Sequence, residues 1–140
     1  MTIDRSIDPT ADQVRALRDS DWTGPIVMIN MLKYRKKAAY PADFEGNSDV
    51  SGEVAYRRYE EAFVVTVGDV SQAQVIYKGP VQQVFIGSAG TAETDWDAML
   101  IVRYPSKDNF LAMMANDAYR AALVHRYAAL ERTVLLRCGG

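Results

Sequence analysis

The chain has 140 residues, 49% of them hydrophobic, with 16 basic against 18 acidic side chains and a formal net charge of −2. That is enough for one globular domain with its own core, and the acidic balance argues against a nucleic-acid partner, whose phosphates need many clustered Lys and Arg. One cysteine and one histidine can build neither an intrachain disulfide nor a zinc cluster, so no metal site is expected.

The opening MTIDRSIDPTADQ is charged where a signal peptide needs an apolar run, and nothing approaches a membrane span, so a cytoplasmic chain is expected. Residues 1–140 read as a single domain. Asp8 as N-cap and Pro9 at the first helical position, with Val14 and Leu17 on one side, predict a short helix over residues 9–20. A core over residues 25–138 follows.

Ile26 to Tyr34 (IVMINMLKY) is apolar on both alternating sets, which predicts a strand covered on both faces. The polar stretch over residues 35–52 carries Pro41, Gly46 and Asn47-Ser48-Asp49, with Tyr40 and Phe44 as aromatic anchors. So long a connection reads as a lid or as a mobile segment. Glu53 to Val67 has the helix period. Ala55, Tyr56, Tyr59, Ala62, Phe63 and Val67 share one stripe, Arg57, Glu60 and Glu61 lie opposite, and Gly68 is the expected stop. Gln74 to Ile86 predicts a long strand bent at Gly79-Pro80, and proline confines it to an edge of the sheet.

Trp96 to Tyr104 is a second doubly apolar strand. Ser106 caps a helix carrying Phe110, Met113 and Met114, and Asn116-Asp117 interrupts it. Asp117 caps a second helix to Leu130, and Thr133 to Cys138 closes the chain as a strand. After the leading helix the order is strand, helix, strand, strand, helix pair, strand. This is the α+β, ferredoxin-like split βαβ arrangement with an antiparallel sheet. Its first and third strands are central and its second lies at an edge. Helices cover one face only, so two doubly apolar central strands predict a homodimer in which another copy covers the other face.

Asn30-Met31-Leu32-Lys33-Tyr34-Arg35, Ala55-Tyr56-Arg57-Arg58-Tyr59, Lys78-Gly79, Trp96-Asp97 and Tyr104-Pro105-Ser106 form a spaced set. It continues through Phe110-Leu111-Ala112-Met113 and Tyr119 to His125-Arg126-Tyr127-Ala128-Ala129-Leu130. In this the chain resembles the domain-of-unknown-function family 1330 of the dimeric α/β-barrel superfamily. The resemblance implies a ferredoxin-like fold whose sheets pair into a barrel across a dimer. It implies no particular reaction, since the superfamily spans cofactor-independent monooxygenases, lactone isomerases and haem enzymes.

Arg126 falls within the apolar stripe of the last helix, between Ala122 and Leu130. A guanidinium aimed at a core pairs with a carboxylate or carbonyl, snorkels to an edge, or anchors an anionic ligand. Its neighbour His125 reads as an acid or base beside Arg126, as a haem ligand, or as a structural group. A nucleophilic Cys138–His125 pair is a further, weaker arrangement.

Asn30 and Arg103 are polar groups in the two central strands that either bond each other or converge on a ligand. Tyr56 and Tyr59 read as core residues whose hydroxyls can reach a ligand. The cluster Lys33-Tyr34-Arg35-Lys36-Lys37 reads as a solvated strand end or as a lure for small anions. No phosphate loop, dinucleotide fingerprint or metal motif is present. The expected function is therefore that of a pocket protein for a small, partly anionic or aromatic compound, without organic cofactor. It is either a cofactor-independent enzyme, in which Arg126 holds charge and His125 or a tyrosine moves a proton, or a non-catalytic binding or regulatory dimer.

Overall fold

In a computed structural model, residues 4–140 are described; residues 1–3, with which the charged N-terminal stretch begins, lie outside them. Thr10, not Asp8, starts the first helix, α1 (Ala11–Arg18). Its hydroxyl accepts from Gln13 N while the Gln13 side chain accepts from Thr10 N. This reciprocal capping box stabilises the helix start by about 1 kcal/mol, and it moves the start two residues past the proline. Strand β1 (Ile26–Tyr34) follows.

Helix α2 (Gly52–Ser71) begins at Ser51, whose Oγ accepts from Val54 N. The helix runs through Gly68 instead of stopping there, and Gln72 closes it in the left-handed conformation, at φ 51°. Strand β2 (Gln74–Pro80) ends at the proline, short of the expected Ile86, and its irregularity lies between Val75 and Tyr77. Pro80 has no N–H to extend the ladder.

Strand β3 (Ala98–Tyr104) starts two residues later than its apolar pattern, because Trp96 and Asp97 close the preceding turn. Trp96 Nε1 donates to Glu93 O, Asp97 N donates to Leu32 O, and the Asp97 carboxylate accepts from Tyr34 N. Helix α3 (Lys107–Met114) is capped by Ser106 as its sequence requires. Asn116 caps helix α4 (Asp117–Ala129) one residue ahead of Asp117, and strand β4 (Leu130–Gly139) follows α4 directly.

The four strands order β2-β3-β1-β4, antiparallel at every pairing. The doubly apolar β1 and β3 are central, and the proline-bearing β2 is an edge. This is the α+β ferredoxin-like fold. Ile26, Met28 and Leu32 on β1, with Ala98, Leu100, Val102 and Tyr104 on β3, face the helices and are buried. Burying each large aliphatic among them contributes about 1.5–3 kcal/mol.

The alternate set forms the other face: Val27, Ile29 and Met31 of β1, Met99 and Ile101 of β3, Val134 and Leu136 of β4. The helices among the described residues pack on the opposite face. Among the described residues no helix is long and apolar enough to cross a membrane.

Candidate functional site

Two cavities lie on the helix side of the sheet. The smaller, about 250 Å³, sits between α2 and strands β1, β3 and β2. Tyr56, Tyr59, Phe63 and Tyr104 give it aromatic walls, and Leu100, Val75 and Val102 line the sheet side. Tyr56 and Tyr59 stand 5.3 Å apart by ring centroid, and the Tyr59 hydroxyl meets that of Tyr119 at 3.0 Å. Burial pushes the phenols of Tyr56, Tyr59 and Tyr104 above their ordinary range, so at neutral pH they are hydrogen-bond donors and not bases.

Asn30 lines the same pocket. Its amide nitrogen donates to Leu100 O at 3.1 Å, which fixes the side chain. Among the described residues no donor reaches its Oδ1, leaving an acceptor for a ligand. Gly68 also lines the pocket, and a Cβ added there would meet nothing within 4 Å. A glycine inside a helix costs about 0.5–1 kcal/mol relative to alanine. Here it leaves the pocket open. Glu60 is the carboxylate of this cavity, and its side chain is only 27% exposed. The helix period put Glu60 on the solvent side; the structure corrects this, because Lys78 on β2 reaches over and pairs with it.

The larger cavity is a cleft of about 640 Å³ at the end of the sheet where β1 leaves and α2 begins. Arg35, Lys36, Arg57 and Lys78 line it together with Tyr34, Ser51, Glu53 and Asp97. Sequence reasoning named none of these as site residues except through the basic run at residues 33–37. The structure divides that run. Lys33 pairs with Asp95 and Asp97, Lys37 pairs with Asp49, and Arg35 and Lys36 face the cleft. Lys78 and Arg57 carried no signal, since their relation to residues 35 and 36 is purely tertiary.

Arg103 does not join Asn30. It pairs with Val27 and Gln74 on the helix-free face, whereas Asn30 pairs with Leu100 and faces the helices. The two can neither bond each other nor converge on one ligand. Cys138 pairs with Val27 on the helix-free face as well, so it and His125 on α4 lie on opposite sides of the sheet.

His125 and Arg126, adjacent in sequence, point to different surroundings, and neither lines either of these two cavities. Arg126 is 8% exposed and donates to the Ile7 carbonyl at 2.7 Å, which ties the segment before α1 to α4. Beside it the Tyr127 hydroxyl donates to the Asp8 carboxylate at 2.9 Å. His125 instead holds the segment over residues 35–51. The Tyr40 hydroxyl accepts from Arg58 Nη1 at 3.2 Å and shares a hydrogen bond with His125 Nδ1 at 2.7 Å. Phe44 stacks on Tyr40 at 4.0 Å and meets the imidazole edge-on at 5.9 Å. Backbone bonds continue the fastening: Arg35 N to Ala129 O, Ala39 N to Ala128 O and Ala38 N to Val50 O.

Burial, and then the Arg58 charge, hold the His125 pKa below its ordinary 6.5. A depressed histidine pKa means the unfolded chain binds the proton more readily, so stability is full above 6.5 and declines as pH falls through that value. The expected result is a melting temperature that drops between about pH 7 and about pH 5 in the wild type, and drops much less in His125→Phe. Equal slopes for the two proteins would show that burial and Arg58 do not hold this imidazole's pKa down.

Neither a family model nor a curated protein matches the chain. Among solved structures it is similar to RPA0582 of Rhodopseudomonas palustris, described as a protein of unknown function. The two share 31% identity over 98% of each chain, with a TM-score of 0.84. The chain belongs to the RPA0582 family. A methylated form of RPA0582 aligns likewise, at 32% identity over 97% of this chain and 95% of that one, with a TM-score of 0.79. Beyond the RPA0582 family, a dimeric protein of unknown function and ferredoxin-like fold from Bacteroides fragilis shares the architecture. It is 15% identical, with 84% of this chain and 97% of that one covered and a TM-score of 0.51.

Proposed function

We propose that the chain is a homodimeric binding protein for a small aromatic compound, seated between α2 and the sheet. The observation that carries this reading is the aromatic pocket with one fixed amide whose oxygen has no donor among the described residues, kept open by a glycine inside a helix. Aromatic walls supply apolar area and edge-to-face contacts, and a single placed acceptor orients the ligand. The reading assigns recognition to Asn30, Tyr56 and Tyr59 and no proton transfer to His125 or Arg126, which face other surroundings. Membership of the domain-of-unknown-function family 1330 is part of the same reading, on the residues quoted above. It is supported by kinship with RPA0582, itself described as of unknown function.

The second copy belongs to the reading because the helix-free face is apolar across β1, β3 and β4, and water on such a face is unfavourable. The Bacteroides fragilis protein of the same fold is described as dimeric.

The pocket is tested by filling it. Gly68→Leu places its Cβ in open space on a helix, where leucine is favoured over glycine by about 0.8 kcal/mol, and extends the side chain into the pocket that Gly68 lines. The variant should melt no lower than the wild type. It should lose at least tenfold in affinity for the neutral probe 3-(4-hydroxyphenyl)propanamide, followed by calorimetry. An unchanged affinity in the variant, or no binding to the wild type at millimolar probe, overturns the reading.

A further inference from the structure

We infer that the compound is an aryl carboxylate that spans both cavities, its ring in the aromatic pocket and its carboxylate in the cleft beside Arg35, Lys36 and Arg57; this rests on the pocket reading above. The first observation is contiguity. The cleft residue Tyr34 packs against the pocket residue Tyr56 at 5.8 Å, and the cleft residue Lys78 pairs with the pocket residue Glu60. One layer of side chains separates the two spaces. The Lys78–Glu60 ion pair between the two spaces joins partly exposed groups and rearranges at small cost.

The second observation is charge. Lys33, Lys37, Lys78 and Arg132 each have a carboxylate partner, but among the described residues Arg35, Lys36 and Arg57 have none. Of the carboxylates lining the cleft, Asp97 is taken by Lys33 and by Tyr34 N, which leaves Glu53 alone against three cations. The cleft therefore holds a positive surplus in a chain whose net charge is negative. The start of the 20-residue helix α2 lies at Ser51 and Glu53 in the same cleft, and the positive end of its dipole adds to that surplus.

The third is the donor set. Desolvation first, then Glu60, Glu53 and Asp97, outweigh the opposing Arg57 charge and push the Tyr34 phenol up to about 12, so it stays protonated and can donate at the boundary between ring and carboxylate. Guanidinium groups add planar donors suited to a carboxylate. Glu53 argues for a monoanion over a dianion, since a second negative charge would have to lie close to it.

The experiment compares two probes that differ in the charge of one group, 3-(4-hydroxyphenyl)propanoate and 3-(4-hydroxyphenyl)propanamide, whose phenolic O–H can donate to Asn30 Oδ1, by calorimetry on the full chain at low salt. The carboxylate should bind at least tenfold tighter than the amide. In the double variant Lys36→Gln, Arg57→Gln that advantage should fall below about threefold, with the melting temperature held, because neither side chain has an ion pair to lose. Added salt should erode the wild-type advantage, as expected for exposed charges. Equal affinity of the two probes for the wild type, or an advantage that survives in the double variant, overturns the inference. In that case amide binding that is sensitive to Gly68→Leu leaves the pocket reading standing. Failure of both probes to bind removes the pocket reading, and this inference with it.

Discussion

Gly52→Ala should lower the stability of the chain by about 3 kcal/mol or more, a loss of roughly 10 °C in melting temperature. Three pieces of backbone converge at Gly52: the segment leaving β1, the end of α4 and the start of α2. Arg35 N donates to Ala129 O at 2.8 Å, and Gly52 N donates to Arg35 O at 2.9 Å. A Cβ on residue 52 would stand 2.5 Å from Ala129 O and 2.7 Å from Arg35 N, and closer still to Arg35 O. All three are main-chain atoms, so no side chain can swing aside and the elements themselves must part. Gly68→Ala supplies the contrast on the same helix. It should be neutral or stabilising by up to about 1 kcal/mol, because nothing surrounds that position and alanine favours the helix. Urea unfolding of both variants checks the pair. Similar midpoints for the two would mean the junction at residue 52 yields, contrary to its geometry.

Leu136→Glu should convert a dimer of about twice 15.6 kDa into single chains, with the fold intact. Leu136 is 53% exposed on the edge strand β4, opposite Ile29 on the helix-free face. In an isolated chain a glutamate there stands in water at almost no cost. In a two-fold assembly each copy brings its own carboxylate into the same apolar contact, so the desolvation penalty is counted twice. A penalty of about 3 kcal/mol raises the dissociation constant more than a hundredfold. Sedimentation at micromolar concentration reads the mass, and circular dichroism reads the fold. A wild type that sediments as one chain, or a variant that still sediments as two, would remove the dimer from the proposal.

Apolar alternation made the sheet legible. Only a central strand needs both faces apolar, and Pro80 could not have sat in the middle, so β1, β3 and β2 took their positions from pattern alone. The ends of elements were less legible where a residue has two uses. Gly68 reads as a helix stop by propensity, yet the helix continues past it because Gln72 takes the left-handed conformation instead. Among the site residues, Tyr56, Tyr59 and Asn30 show as a stripe and as a polar break in an apolar strand. Glu60 does not show, because a helix period reports angle around an axis and nothing about Lys78 on a neighbouring strand. His125 and Arg126 differ by one position but take their surroundings from Tyr40 and Ile7, 85 and 119 residues away. Separations of that kind leave no trace in local sequence.

The strand order also governs how the chain emerges during synthesis. β1 lies between β3 and β4, so its first sheet partner, Leu100 opposite Asn30, follows 70 residues later, and its second later again. At about 5–20 residues per second, a strand that is apolar on both faces and has both backbone edges free waits several seconds for its first neighbour. During that interval α2, already made, can shield one face only. The nascent β1 is therefore the segment on which a ribosome-associated chaperone has most reason to act.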